Sequence, residues 1–190
     1  MAAVVETTTV AQPSSGSPRS AESLGDLPLE LTRFIGRRRE LALTRDALAR
    51  SRLVTLTGIG GVGKTRLAME VAGDVATDFD DVRVVHLADV LESALLGHTL
   101  NIALGVREHS ARWQLTTVSE SLRGRHVLLV MDNCEHLAEH VGPFIDELLR
   151  ACAGLSVLAT SRQPLGVKGE VVVQVPPLSV SPDAGPGAGW

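Results

Sequence analysis

Residues 53–65 read Leu-Val-Thr-Leu-Thr-Gly-Ile-Gly-Gly-Val-Gly-Lys-Thr, and no other stretch of the chain says as much about its fold. The last eight of these residues satisfy G-x-x-x-x-G-K-[ST], the pattern of a phosphate-binding loop, or P-loop. The apolar run 53–57 predicts a strand before the loop, and the apolar spacing of 64–76 predicts a helix after it. Strand, glycine-rich loop and helix in this order are the context that the motif requires. The stretch therefore predicts a site for the phosphates of a nucleoside di- or triphosphate.

The predicted loop has the chemistry of an anion site. Its glycines let backbone N–H groups turn inward, and the positive end of the following helix points at the same place. Lys64 is one of only two lysines among 18 basic residues. Its slim ammonium is suited to reach phosphate oxygens. Thr65, in the last position of the motif, offers its hydroxyl to Mg²⁺.

Composition limits the other possibilities. The chain has 190 residues, is 44% hydrophobic and 3% aromatic, and carries a formal charge of −4. These values predict one domain with an aliphatic core, and they argue against a surface that coats DNA or a membrane. No apolar run approaches the length that a bilayer requires. Because the first residues lack the features of a secretory signal, Cys134 and Cys152 are interpreted as reduced thiols of a cytoplasmic protein.

The chain is expected to divide into three parts. Residues 1–25 and 181–190 are rich in small and polar residues and are predicted to be disordered tails of a domain at 26–180. Within the domain, strand and helix patterns alternate, which predicts an α/β fold with a parallel sheet. Pro143 is expected to begin a helix, since proline suits the first turn. Strands are predicted at 53–57, 82–87, 126–131, 155–159 and 171–175, and helices at 36–50, 64–76, 91–104, 115–122, 134–140 and 143–152.

Asp132 is the candidate magnesium residue. It ends an apolar strand, so its carboxylate is expected at the carboxyl edge of the sheet, where ligands of open α/β folds bind. The alternative role for such a residue is a helix cap. Asn133, which follows, can orient water but cannot accept its proton. Glu135 is interpreted as a charge near a helix N-terminus rather than as a base, so slow hydrolysis is expected.

Two further arginine-containing stretches are interpreted from their position. Arg162 follows the fourth predicted strand and could reach a γ-phosphate, the alternative being a surface arginine. The run 37–39, Arg-Arg-Arg, is interpreted as a solvated helix face rather than as a nucleic-acid patch. The apolar pair Phe34 and Ile35 before it is a candidate wall of an adenine pocket.

Four segments together resemble the nucleotide-binding domain of STAND-class (NB-ARC-like) P-loop ATPases. The resemblance is closer to the branch found in bacterial transcriptional regulators of the AfsR/SARP and LuxR-like kind, and it covers residues 27–180. A difference is Arg38, which stands where the family has an acid. The segments are Phe34–Arg37, Thr57–Arg66, Met131–Leu137 and Ala159–Leu165.

The resemblance implies a fold and a set of ligands. The fold is a three-layer sandwich with a five-stranded parallel sheet of order 5-1-4-3-2, in which the strand ending at Thr160 lies between the P-loop strand and the Asp132 strand. The implied cofactors are ATP or ADP and Mg²⁺. By position, the resemblance assigns adenine to Phe34, Ile35 and Gly36; phosphates to Gly58, Gly60, Gly61, Val62, Gly63, Lys64, Thr65 and Arg66; Mg²⁺ to Thr65 and Asp132; and catalysis to Lys64, Asp132 and Arg162, with Arg162 sensing the γ-phosphate.

The resemblance also implies a function, a switch that ADP holds closed and ATP opens, with weak Mg²⁺-dependent ATP hydrolysis. The chain ends where the family's helical and winged-helix subdomains begin. We therefore expect a second copy or a partner protein to supply the lid and the effector, and we expect no direct DNA binding by this chain. Two alternatives stay open. One is a small-molecule kinase, which would need an arginine-bearing lid and an acceptor pocket; the segment 105–125 contains Arg107, Arg112, Arg123 and Arg125, but it is interpreted as loop and helix of the core. The other is a static ADP-binding interaction module.

Overall fold

The structure is a computed structural model that describes residues 9–10, 36–88, 90, 95–104 and 115–178. Several sequence predictions lie outside these residues. They are the adenine-pocket residues Phe34 and Ile35, the tail 181–190, most of the tail 1–25, the arginines Arg107 and Arg112, and the first residues of the helix predicted at 91–104. Along the described residues the elements are β1 (Thr9–Val10), α1 (Arg38–Leu48), β2 (Leu53–Thr57), α2 (Lys64–Val75), β3 (Asp81–His86), α3 (Leu96–Ala103), α4 (Leu115–Ser121), β4 (Val127–Asp132), α5 (Ala138–Ala151), β5 (Leu155–Ser161) and β6 (Val171–Gln174), with 3₁₀ turns at Ala76–Asp78 and Cys134–Leu137.

The strands form one sheet in the order β1-β3-β4-β5-β2-β6. The five strands from β2 to β6 pair in parallel. In the numbering of the predicted strands their order is 2-3-4-1-5, which is the predicted order 5-1-4-3-2 counted from the opposite edge. The predicted fold class is therefore confirmed. The structure adds β1, which pairs antiparallel with β3 and which the sequence analysis did not predict in the tail 1–25.

Helices cover both faces of the sheet. In β4, Leu128 and Val130 face α1 and α2, whereas Leu129 and Met131 face α3, α4 and α5. Because side chains alternate between faces, a strand buried on both sides is apolar throughout, as β4 is. Each fully buried leucine of this kind contributes about 1.5–3 kcal/mol. The core thus consists of two apolar layers separated by the sheet. None of the described helices is long and apolar enough to cross a membrane.

The prediction that Pro143 begins a helix is wrong. The helix α5 begins at Ala138, and Pro143 lies inside it. The apolar residues Val141, Ile145 and Leu148 lie on one buried face that continues through the proline. Burial of that face outweighs the backbone hydrogen bond that proline cannot donate.

Parallel pairing brings the carboxyl ends of four strands to one edge. In the register of the sheet, His86 of β3 lies opposite Asp132 of β4, and Leu56 and Thr57 of β2 lie opposite Thr160 and Ser161 of β5. The loop that follows β2 begins at this same edge. Polar side chains from distant parts of the sequence are therefore neighbours there.

Candidate functional site

The P-loop, residues 58–63, connects β2 to α2 at the carboxyl edge. Gly63 caps α2 with φ +87°, a left-handed conformation that residues with a Cβ rarely adopt. A Cβ on Gly58 would lie 2.6 Å from the carbonyl oxygen of Val175. That carbonyl is close because the N–H of Val175 donates to Thr57 at 2.7 Å. The loop thus requires glycine at two positions. At Gly58 the backbone of Val175, just after β6, leaves no room for a Cβ, and at Gly63 the start of α2 needs a left-handed conformation.

Lys64 extends back over the loop from the first turn of α2. Its side chain is buried, with 7% exposure. Its ammonium donates to the carbonyl oxygens of Gly58 at 2.9 Å and Ile59 at 3.1 Å. Neutral carbonyls orient the ammonium without neutralising it, so its positive charge is available to an anion held by the loop. The structure thus places the Lys64 ammonium against the loop, and its role toward phosphate stays a prediction.

Arg37 differs from its prediction. The run 37–39 was expected to be a solvated helix face, and Arg38 and Arg39 are indeed exposed. Arg37, in contrast, is buried with 4% exposure, and its guanidinium donates to the carbonyl of Val62 at 2.5 Å. Arg37 therefore braces the P-loop from the N-terminal side of α1, because the fold brings that end of α1 against the loop.

Asp132 lies at the centre of a hydrogen-bond network. Its Oδ1 accepts from the hydroxyl of Thr65 at 2.7 Å and from that of Thr160 at 2.6 Å. Its Oδ2 lies 3.4 Å from Nδ1 of His86. Thr160 in turn accepts from the backbone N–H of Asn133 at 3.0 Å. The two residues predicted to serve Mg²⁺, Thr65 and Asp132, are therefore in direct contact across the site.

The network keeps Asp132 ionised. The side chain is almost fully buried. Burial alone would raise the pKa of the carboxyl, but the hydrogen bonds with His86, Thr160 and Thr65 outweigh it and hold the pKa below its usual value. A buried carboxylate that retains its charge is suited to bind a hard cation.

Arg162 lies on the other side of the loop. Its Nε donates to Oε1 of Glu135 at 3.2 Å. A Cβ on Gly60 would lie 3.9 Å from its terminal nitrogen, so the guanidinium is adjacent to the P-loop. Arg162 is thus close enough to the loop to meet a phosphate, as its prediction requires. Glu135, interpreted from sequence as a helix-terminal charge, lies in a 3₁₀ turn and points its carboxylate at Arg162.

The remaining predicted phosphate-binding residues follow the loop in order. Gly60 and Gly61 are exposed, and Val62 and Arg66 are partly buried. Gly36, assigned to the adenine region, is exposed, and a Cβ there would lie 3.8 Å from Leu178. These residues are near the loop, and their roles toward a nucleotide stay predictions.

Sequence reasoning missed Thr160 and His86 as partners of Asp132. A signal was present, since each is a polar residue at the carboxyl end of a predicted parallel strand. It could be used only with the strand register, which places His86 opposite Asp132. For Arg37 no comparable signal existed, because its partner is a backbone carbonyl 25 residues away.

One arginine considered for a kinase lid lies far from the site. Arg125 precedes β4 and donates to Asp81 at the start of β3, with an Nη2 to Oδ2 distance of 3.0 Å. It therefore lies at the amino edge of the sheet, opposite the P-loop. Arg123, the other described member of that group, is exposed in the turn after α4.

Comparison with known proteins relates the chain to a much longer protein by sequence. No protein-family model matches the chain. A protein of Mycobacterium tuberculosis, "Putative HTH-type transcriptional regulator Rv0890c", is 41% identical over 141 residues, which are 74% of this chain and 16% of that protein. The chain thus spans about a sixth of the length of this relative.

Two solved structures resemble the chain in fold. One is the Pyrococcus horikoshii STAND protein with a tetratricopeptide repeat sensor, with a TM-score of 0.54 and 19% identity over 75% of this chain and 23% of that one. The other is the Aeropyrum pernix ORC1 protein in complex with DNA, with a TM-score of 0.58 and 18% identity over 80% of this chain and 48% of that one. Together with the parallel sheet and its strand order, these likenesses give the chain the fold of the P-loop NTPases.

Proposed function

We propose that the chain is an ATP- and ADP-binding module that acts as a nucleotide-dependent switch in a regulator of transcription, with weak Mg²⁺-dependent ATP hydrolysis. The observation that carries this proposal is the arrangement of charge at the P-loop. The ammonium of Lys64, which pairs with no carboxylate among the described residues, lies at one side of the first turn of α2. The ionised carboxylate of Asp132 contacts Thr65 at the other side. A polyphosphate and its cation would satisfy both charges together.

The residues at Asp132 suit magnesium. Thr65 and Asp132 present a hydroxyl and a carboxylate oxygen 2.7 Å apart, and Mg²⁺ prefers hard oxygen ligands. When bound, the ion would neutralise charge on the phosphates. Thr160 would hold the carboxylate in place, since it donates to the same oxygen of Asp132 as Thr65 does.

The switch is supported by the position of Arg162 and by the relatives. The guanidinium of Arg162 lies beside Gly60. Because the side chain of Arg162 is 64% exposed, it is able to turn toward a third phosphate. A relative is named as a regulator of the HTH type, which is consistent with a nucleotide module that controls a DNA-binding part elsewhere in a longer protein. A second copy or a partner protein would then supply the lid and the effector.

The test is calorimetric titration of ATP and ADP in the presence of Mg²⁺, with size-exclusion measurement of the assembly in each nucleotide. We expect both nucleotides to bind and only ATP to change the assembly. The variant Arg162→Ala should weaken ATP about tenfold or more while changing ADP little, because charge-assisted hydrogen bonds to the third phosphate are lost.

The matched control is Arg150→Ala, which removes an exposed arginine on α5 that pairs with Asp146. It should leave both affinities unchanged. Equal losses of ATP and ADP in Arg162→Ala would reject the switch and favour a static ADP-binding module. Transfer of phosphate from ATP to a small-molecule acceptor would instead favour a kinase.

A further inference from the structure

Glu135 has an unusual environment for a charged residue. Its side chain is 13% exposed, although it lies in a short 3₁₀ turn next to the site. One carboxylate oxygen, Oε1, accepts from Arg162 at 3.2 Å. The other, Oε2, is buried and has no hydrogen-bond partner among the described residues. A buried acceptor without a partner is costly to maintain, and this one belongs to a carboxylate that contacts Arg162 beside the P-loop.

The turn that presents Glu135 is formed by its neighbour. Asn133 has φ +60°, in the left-handed region that asparagine tolerates better than most residues. Its N–H donates to Thr160 at the end of β5. The chain therefore turns sharply after Asp132 and directs Glu135 across to β5 and Arg162. The sequence analysis expected a short helix at 134–140, whereas the structure has a 3₁₀ turn at Cys134–Leu137 before α5 begins.

Glu135 and Arg162 form a chain of contacts that leads to the P-loop. The guanidinium of Arg162 lies between the carboxylate of Glu135 and Gly60. A γ-phosphate at the loop would carry negative charge to the same guanidinium. Phosphate and Glu135 would then compete for one arginine.

From this geometry we infer that Glu135 is the general base for ATP hydrolysis, and that its ion pair with Arg162 keeps it inactive until a γ-phosphate attracts the arginine. The inference deepens the proposed function and rests on it. In the step, a water oxygen forms a bond to the γ-phosphorus, and the bond from that phosphorus to the bridging oxygen breaks. ADP leaves with the electron pair of that bond, and the water's proton moves to the freed carboxylate of Glu135. The products are ADP and inorganic phosphate.

The two polar residues that precede Glu135 at the end of β4 are less suited to take the proton. The amide of Asn133 cannot accept it. Asp132 already accepts from Thr65 and Thr160, and its lowered pKa makes it a weak base. Glu135 has a free oxygen and is linked by one side chain to the place where the γ-phosphate would lie.

The test uses Glu135→Gln in the full chain, with ATP turnover and ATP affinity measured separately. We expect turnover to fall about a hundredfold or more, the size of a general-base contribution. ATP affinity should rise about two- to fivefold, because Arg162 no longer has to leave a carboxylate, and unchanged ATP affinity would overturn the gating. ADP affinity should not change. A purely structural role for Glu135 would not produce a selective gain for ATP.

Two variants serve as controls. Glu139→Gln makes the same change four residues later, at an exposed position in the first turn of α5, and should leave turnover and affinity as they are. The double variant Glu135→Gln with Arg162→Ala should show no gain in ATP affinity over Arg162→Ala alone, since the arginine that was released is absent.

The outcomes separate this inference from the proposed function. If neither nucleotide binds the wild-type chain, both fail. If ATP binds but is not turned over, or if Glu135→Gln turns over ATP within twofold of the wild type, the base is overturned while nucleotide binding stands. If Glu135→Gln loses turnover but gains ATP affinity equally with and without Arg162, the gating by the ion pair is overturned.

Discussion

The amino ends and the carboxyl ends of the parallel strands, the amino edge and the carboxyl edge of the sheet, hold similar charged groups in different arrangements. At the amino edge, Asp81 of β3 accepts from Arg83, with an Nη2 to Oδ2 distance of 2.8 Å, and from Arg125 at 3.0 Å. Arg52, just before β2, donates to the carbonyl of Leu149 in the last turn of α5 at 2.7 Å. At this edge, Asp81 and two guanidiniums neutralise one another. The positive charge of Arg52 caps the C-terminus of α5, where the negative end of the helix dipole favours a cation.

At the carboxyl edge, the buried charges of Asp132 and Lys64 are kept apart, although Arg162 and Glu135 pair nearby. Asp132 receives its closest hydrogen bonds from neutral hydroxyls, and Lys64 is held by neutral carbonyls. Among the described residues, no ion pair joins Asp132 to Lys64. Charges that pair with each other stabilise a fold, whereas charges kept apart can be satisfied by a ligand. The difference therefore predicts that loss of the Lys64 or Asp132 charge alters nucleotide binding, and that loss of charge at the amino edge alters stability without altering binding.

The largest effect is expected from Lys64→Ala. Loss of the ammonium removes charge-assisted hydrogen bonds worth about 1.5–3 kcal/mol, so ATP and ADP affinity should fall roughly ten- to a hundredfold. Lys168→Ala, which changes the other lysine at an exposed turn, should bind as the wild type does. Titration calorimetry measures both. Wild-type affinity in Lys64→Ala, with circular dichroism unchanged, would remove the basis of the comparison.

A crossed pair of substitutions sharpens the contrast between the edges. Asp132→Asn should abolish the dependence of ATP affinity on Mg²⁺, because an amide cannot supply the charge of the carboxylate. Asp81→Asn should keep that dependence but lower the free energy of unfolding by about 1–3 kcal/mol, since two guanidiniums lose their partner. Urea denaturation and titrations with and without Mg²⁺ distinguish them. The comparison is wrong if the two variants exchange these effects.

A smaller, pH-dependent effect is expected from Thr160→Val. Thr160 donates to Asp132, so its loss should raise the pKa of that carboxyl and cost about 1–2 kcal/mol at neutral pH. Because the folded pKa of Asp132 lies below its usual value, this stabilisation is present above that usual value and is lost as the pH falls through the folded pKa. The difference between Thr160→Val and wild type should therefore shrink on acidification. Urea denaturation between pH 7 and strongly acidic pH tests this, and a difference that grows on acidification would contradict it.

The smallest effect is expected from Arg125→Ala at the amino edge. Arg125 is 42% exposed, so its ion pair with Asp81 should contribute about 0.5–1 kcal/mol. ATP affinity should not change, because the residue lies at the opposite edge from the P-loop. A loss of ATP affinity in this variant would show that the two edges are coupled.

Much of the fold could be predicted from residues close together in the sequence. The P-loop, the strand before it and the carboxylate at the end of β4 are local patterns with a direct physical meaning. The strand order was available only through resemblance to a family. The start of α5 at Ala138 rather than at Pro143 could not be predicted, because burial of Val141, Ile145 and Leu148 in the core outweighs the local preference of proline.

The contacts within the site were harder to predict from the sequence than the fold was. Arg37 and Glu135 have partners 25 and 27 residues away, and their exposure cannot be judged without those partners. A triple arginine suggests a solvated surface, and a glutamate after a strand suggests a helix terminus. Tertiary contacts change both interpretations.

The amino-acid sequence by itself determined that this chain forms a parallel α/β sheet with a glycine-rich P-loop between a strand and a helix, since apolar periodicity and glycine spacing are local properties of the chain. Only the tertiary structure decided that Asp132 contacts Thr65, Thr160 and His86, that Arg37 braces the loop and that Arg162 is held by Glu135. Hydrogen bonds and pKa values depend on distance and burial, and both are set by strand register and packing rather than by position along the chain.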